Sequence, residues 1–244
     1  MPAIAFNGSK DSGKTISAKI FNYFIICELW EDTPSFKEFK NIIQDVETIN
    51  ILSFATNLKK ALSIILDINI HYFNDREYKD KFWFNPCSRS FITDTKLNKI
   101  ILTKRTLKIE NYHQIGYDIF NDKDVYIRLR LLLQWFGTDI GQRYFGKNIW
   151  INPVIRKIKD NPSSYYIIDD VRFKAEYDTC INNNINVYKI INSKLNSEDP
   201  HISENDLDSI MWDTNKVIVW NGKDLEELYN KIKKIFDYEF TRSK

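Results

Sequence analysis

Asn7-Gly8-Ser9-Lys10-Asp11-Ser12-Gly13-Lys14-Thr15-Ile16 is the stretch on which the reading of this chain turns. Gly8, Gly13, Lys14 and Thr15 satisfy G-x-x-x-x-G-K-[ST], the pattern of a phosphate-binding loop. The glycines permit backbone conformations that let successive N–H groups converge on phosphate oxygens. Lys14 supplies a mobile positive charge for β- and γ-phosphates, and the Thr15 hydroxyl suits Mg²⁺. The flanks agree with this. Ala3-Ile4-Ala5-Phe6 reads as a short buried strand, and 13–30 reads as a helix whose first N–H groups and dipole favour an anion.

Working outward, apolar spacing predicts helices over 36–44 and 57–66, the second with Leu58, Leu62 and Ile65 as its stripe. Residues 48–54 read as a second strand. Residues 74–95 read as irregular, and 99–103 with 106–109 as a hairpin. A helix is predicted over 122–136, with Val125, Leu129, Leu132 and Leu133 on its buried face, and another from about 137. Residues 150–159 read as a helix with Pro153 in its first turn. Tyr165-Tyr166-Ile167-Ile168 is a buried strand, 173–182 a helix, and 185–191 and 216–220 strands. A last helix begins at Asp224. Strands alternating with helices predict an α/β fold, a parallel sheet covered by helices on both faces. The whole of 1–244 is expected to be a single domain, with an irregular substrate-side insertion around 71–121.

The strand at 165–168 delivers Asp169 and Asp170 to its C-terminal end, where ligands gather in open α/β sheets. A carboxylate there suits Mg²⁺ or its waters, and helix capping is the plain alternative. Arg172 follows, and a planar guanidinium matches phosphate geometry better than an ammonium does. Arg76, Arg128, Arg130 and Arg143 are further cationic candidates. Leu133-Gln134-Trp135-Phe136-Gly137-Thr138-Asp139 places a Gly-Thr-Asp break in an apolar run, which suggests close backbone approach to a ligand. Trp150 is a candidate to stack on a base, with a core role equally open.

Composition narrows the class. Of 244 residues 43% are hydrophobic, enough for a sizeable core, and 35 basic against 33 acidic residues leave a net charge of +2. That balance calls for no nucleic acid. Cys27, Cys87 and Cys180 are far apart and odd in number, and His71, His113 and His201 are scattered, so neither a disulfide framework nor a zinc site is expected. No apolar run approaches the roughly 18 residues of a membrane helix. The chain opens directly on its strand and loop, so no leader is expected, and a cytoplasmic setting is.

Several segments taken together resemble one family, the deoxynucleoside monophosphate kinases of bacteriophages and other viruses. Besides 8–14, these are 130–150, then Asp170-Val171-Arg172-Phe173-Lys174-Ala175-Glu176, similar to a D-x-R-x-x-x-E run, and Asp199-Pro200-His201-Ile202-Ser203-Glu204, similar to a D-x-H-x-[ST]-E element. Ser53-Phe54-Ala55-Thr56-Asn57-Leu58-Lys59 resembles the acceptor turn and Asp75-Arg76-Glu77 a D-R-E element. The resemblance implies a P-loop NTPase fold of the nucleoside monophosphate kinase type. It implies transfer of the ATP γ-phosphate to a deoxynucleoside monophosphate, with Mg²⁺, and no membrane or nucleic-acid partner. A homodimer is left open. By the same resemblance Lys14, Arg130 and Arg172 are catalytic, and Gly8, Asp11, Ser12, Gly13, Lys14, Thr15, Ile16 and Ser203 bind ATP. Lys10, Lys59, Arg76, Arg130, Gly137, Thr138, Trp150, Asp170, Arg172 and Glu176 bind the acceptor, and Thr15 with Asp170 holds the metal.

Three positions depart from the family pattern. Thr15 stands where members often carry Asp, Asn57 where they carry Pro, and Asp11 puts a negative charge in the cradle. Two rival readings therefore stay open at this level: a catalytically inactive viral binding or structural protein with a kinase fold, and a kinase of another small phosphorylated acceptor.

Overall fold

A computed structural model of the chain describes residues 3–44, 50–93, 100–102, 121–122, 124–195, 207 and 209–241. In chain order the elements begin with β1 (Ala3–Asn7), α1 (Lys14–Leu29), α2 (Phe36–Ile42), β2 (Ile51–Leu52), α3 (Ala55–Leu66), α4 (His71–Asn74) and α5 (Arg76–Lys81). There follow β3 (Trp83–Asn85), β4 (Ser90–Ile92), β5 (Ile100–Leu102), β6 (Val125–Arg128) and α6 (Leu129–Gln134). α6 widens into a π-helical segment, Trp135–Gln142, and ends with the turn Arg143–Phe145. Then come α7 (Asn152–Asp160), β7 (Tyr166–Val171), α8 (Lys174–Asn182), β8 (Asn186–Asn192), β9 (Val217–Trp220) and α9 (Leu225–Thr241). They form two compact units, Met1–Phe54 with Ile151–Lys244, and Ala55–Trp150.

The first unit is built on a five-stranded sheet in the order β2-β7-β1-β8-β9, every pair parallel. The two-residue side-chain period of β1 sorts its residues between two cores. Ile4 and Phe6 join α1 and α9 through Phe21, Phe24, Leu228, Ile232 and Phe236. Ala3 and Ala5 face α7 and α8 through Ile155, Ile158 and Cys180. Both faces are covered, as the sequence predicts. The second unit carries a mixed sheet in the order β4-β3-β6-β5. β3 is antiparallel to both β4 and β6, whereas β5 runs parallel to β6. Leu58, Leu62 and Leu66 of α3 share a core with Phe73, Phe84, Ile127, Leu132 and Trp135.

Several local expectations are corrected in this second unit. The helix predicted over 122–136 starts only at Leu129, because Val125, Tyr126 and Ile127 form strand β6. All three are buried, and β-branched and aromatic residues in a continuous buried run favour a covered strand. The spacing of Val125, Leu129 and Leu132 imitates a helical stripe. Residues 74–93, read as irregular, contain α5, β3 and β4. In α3 Leu66 is buried and Ile65 is 48% exposed, so the stripe turns by one residue. The second strand of the predicted hairpin, 106–109, lies outside the described residues.

Candidate functional site

β1 ends at Asn7, and its end is fixed from both sides before the loop starts. Asn7 pairs with Val171 of β7 and Lys189 of β8. Its buried side-chain amide also donates to the Val171 carbonyl at 2.8 Å. The loop therefore leaves the central strand beside the C-terminal end of β7, which carries Asp169 and Asp170. A Cβ on Gly8 would overlap the carbonyl oxygen of Ile190, so glycine is required by the neighbouring strand. Gly13 stands at φ +104 as the N-cap of α1, a left-handed conformation that strongly favours glycine.

The loop forms a cradle with unmet donor capacity. Gly13 offers no side-chain cap to α1, and no acidic residue occupies the first turn. A helix N-terminus without a side-chain cap, and its dipole, favour an anion. The Ser12 side chain is fully buried, and its Oγ makes no hydrogen bond among the described residues. An unmet buried hydroxyl costs stability, and a ligand oxygen would satisfy it. Lys14 is 8% exposed, and its Nζ donates to the carbonyls of Gly8 at 2.6 Å and Ser9 at 2.7 Å, folded back over the loop. Thr15 is exposed on the first turn of α1, with a hard oxygen suited to Mg²⁺. Asp11 is exposed at φ 62, Lys10 is half-buried, and Ile16 packs against the core. These residues fit a nucleotide phosphate chain.

The structure brings Asp170, Arg172 and Glu176 together where β7 passes into α8. Arg172 Nε donates to Asp170 Oδ1 at 2.7 Å, so that oxygen is engaged by the guanidinium. Glu176 is buried, and its Oε2 accepts the backbone N–H groups of Arg172 at 2.7 Å and Phe173 at 3.0 Å. It holds the backbone from which Arg172 projects. Burial pushes its carboxyl up to about 8, with the two N–H donors acting the other way.

In the second unit Arg130, at the start of α6, grips Asp80 of α5 with both ends of its fork: Nε to Oδ1 at 2.5 Å and Nη2 to Oδ2 at 3.0 Å. Arg76 is exposed at the first position of α5, where the Asp75 carboxylate caps the helix by accepting from Tyr78 N–H at 3.1 Å. Lys59 of α3 donates to Asn74 Oδ1 at 3.1 Å. Arg128 lies over the ring of Trp83, 4.2 Å from its centroid. Gly137 and half-buried Thr138 fall in the π-helical segment, so the predicted break is a widening of the helix. Gly137 meets the Leu58 side chain: a Cβ there would lie 2.7 Å from Cδ2. The Trp150 indole N–H donates to the Gly137 carbonyl at 2.9 Å, and its ring fills the space beside Gly141.

Ser203 and the D-x-H-x-[ST]-E element lie outside the described residues. Three residues that the sequence did not single out hold candidate groups in place: Asn7 at the loop entry, Asp80 on Arg130, and Trp220 on the loop itself. The Trp220 indole N–H donates to the Ser12 carbonyl at 2.7 Å. None of the three carries a local signal, since each acts across a long stretch of chain.

Residues 87–232 match the model of a family described as deoxynucleotide monophosphate kinase. The deoxynucleotide monophosphate kinase of Escherichia phage RB69 is 31% identical over 132 residues, covering 53% of this chain and 52% of the relative. The match therefore spans about half the length of that relative. The deoxynucleotide monophosphate kinase of Enterobacteria phage T4 is 28% identical over 202 residues, 81% of this chain and 73% of the relative. The family match takes in more than half of the chain, from the second unit through the strands that flank the phosphate loop, and the chain belongs to the deoxynucleotide monophosphate kinase family.

Proposed function

We propose that the chain transfers the γ-phosphoryl group of ATP to a deoxynucleoside monophosphate, giving the diphosphate and ADP. The observation that carries this reading is the phosphate cradle of Gly8, Ser12, Gly13 and Lys14 at the end of β1, in a chain of this family. The donor phosphates take the α1 N-terminus and the Ser12 hydroxyl. Lys14 exchanges its bonds to the Gly8 and Ser9 carbonyls for phosphate oxygens. An acceptor phosphate oxygen attacks the γ-phosphorus in line, the bond to the β-bridging oxygen breaks, and ADP leaves. A monophosphate dianion is already a competent nucleophile, so positioning and charge stabilisation carry the catalysis.

Arg172, set by Asp170 and Glu176, is proposed to neutralise charge on the transferring group. Arg130 and Arg76 are proposed for the acceptor phosphate, with Lys59, Thr138 and Trp150 nearer its sugar and base. Thr15 and Asp170 are the proposed Mg²⁺ donors, and Mg²⁺ would supply charge neutralisation at the β- and γ-oxygens. For a protein with phage relatives, the host cytoplasm is the proposed setting.

The test is a panel of nucleoside monophosphates with ATP and Mg²⁺, alongside Lys14→Ala. Deoxynucleoside diphosphate formed by the parent chain and lost in the variant is the expected result. A folded parent chain that turns over no deoxynucleotide would overturn the proposal.

A further inference from the structure

The phosphate loop is held by a side chain 208 residues further along the chain, from the edge strand of the first unit's sheet. Trp220 closes β9. Its backbone is fixed by pairing with Asn192 of β8 and by the Ser193 N–H, which donates to its carbonyl at 2.8 Å. The residue is 8% exposed. Its ring lies so close to Gly13 that a Cβ there would sit 2.9 Å from Cζ2. Its N–H reaches the Ser12 carbonyl at 2.7 Å, the kind of partner that a buried indole N–H usually finds. The next turn leaves this arrangement little room. Gly222 stands at φ +75, and a Cβ on it would overlap the Asn192 side chain, whose amide in turn approaches the Asp11 carbonyl at 3.4 Å.

We infer that Trp220 is a positioning residue for the donor phosphates, because its N–H on the Ser12 carbonyl sets the plane of the Ser12–Gly13 peptide. A trans peptide directs its C=O and N–H in opposite senses, and the described residues contain no cis peptide bond. With the Ser12 carbonyl held toward Trp220, the Gly13 N–H faces the other way, at the head of α1 where an anion is favoured. Without the brace, the glycine at this position lets the peptide rotate, and one cradle donor loses its fixed aim. This inference rests on reading the loop as the donor site. It adds that the brace acts on phosphate and not on a nucleobase.

The experiment compares ATP and inorganic tripolyphosphate as calorimetric probes of the whole chain and of Trp220→Phe, which keeps an aromatic ring and removes the N–H donor. The Gly13 amide resonance is followed in the same samples without ligand. Expected are a shift of that resonance and a loss of affinity of about five- to tenfold, equal for the two probes. Weaker ATP binding with unchanged tripolyphosphate binding would mean a base contact and overturn the inference. So would unchanged binding of both probes. A parent chain that binds neither probe overturns the donor-site reading along with it, which separates the two failures. Should Trp220→Phe melt below the assay temperature, both probes are titrated into it and into the parent chain below the variant's melting temperature and read in the same way.

Discussion

In the phosphate loop the groups proposed to meet the donor phosphates include main-chain N–H groups, set by two glycines, a helix start and neighbouring strand ends. In Ala55–Trp150 the cationic groups proposed for the acceptor are long side chains, and Arg130 is held by the carboxylate of Asp80. Backbone donors are aimed as soon as the chain folds. A guanidinium on several rotatable bonds must be aimed by a partner, which then competes with the substrate for it. Glu176 and Asp170 play that part for Arg172 in the first unit, one on its backbone and one on its fork. The lesson is that main-chain donors are aimed by the fold of the backbone, whereas Arg130 and Arg172 are each held by an acid of their own unit.

The largest expected effect tests the exception in the loop. Lys14→Ala removes the buried loop lysine proposed for the β- and γ-phosphates, and turnover in a coupled assay is expected to fall by roughly a hundredfold or more. Because Lys14 also bonds the Gly8 and Ser9 carbonyls, circular dichroism should accompany the assay. Intact structure with unchanged turnover would remove the loop from the chemistry.

On the other side of the comparison, Arg130→Lys keeps the charge and loses the two-pronged grip on Asp80. The KM for the deoxynucleotide is expected to rise about tenfold, with the KM for ATP unchanged. A change confined to ATP would assign Arg130 to the donor instead.

Gly13→Ala places a Cβ at φ +104 and against the Trp220 ring. Urea denaturation should show a loss of about 1–3 kcal/mol. A neutral result would mean that the loop can shift away from Trp220.

Glu176 gives a pH signature. Its folded value of about 8 lies above the ordinary 4.5, so the folded chain binds more protons than the unfolded one between those limits. The contribution of this group to stability is present at low pH and is lost as pH rises toward and through 8. In Glu176→Gln the melting temperature should fall less between pH 5 and pH 9 than in the parent chain. Parallel curves would show that the two N–H donors outweigh burial.

The smallest effect is expected at Gly137→Ala. Its Cβ meets the tip of Leu58, a flexible side chain that can yield, so the cost should stay below about 1.5 kcal/mol. Leu58→Val should relieve part of it, read as non-additivity in a double-mutant cycle.

The sequence by itself determined the phosphate loop, the strand and helix around it, and the alternation that makes a parallel sheet covered on both faces. Those features are local: a phosphate cradle needs adjacent N–H groups, and a strand or helix writes its period into neighbouring residues. Where two periods coincide, the reading fails, as at Val125, Leu129 and Leu132, whose spacing fits a helix although the first belongs to a strand. Tertiary structure alone decided that Gly137 serves the packing of Leu58, that Arg130 answers to Asp80 across 50 residues, and that Trp220 braces Ser12 across 208. Such contacts are set by which surfaces the cores bring together, and a pairing between distant residues leaves no periodic trace in a single chain.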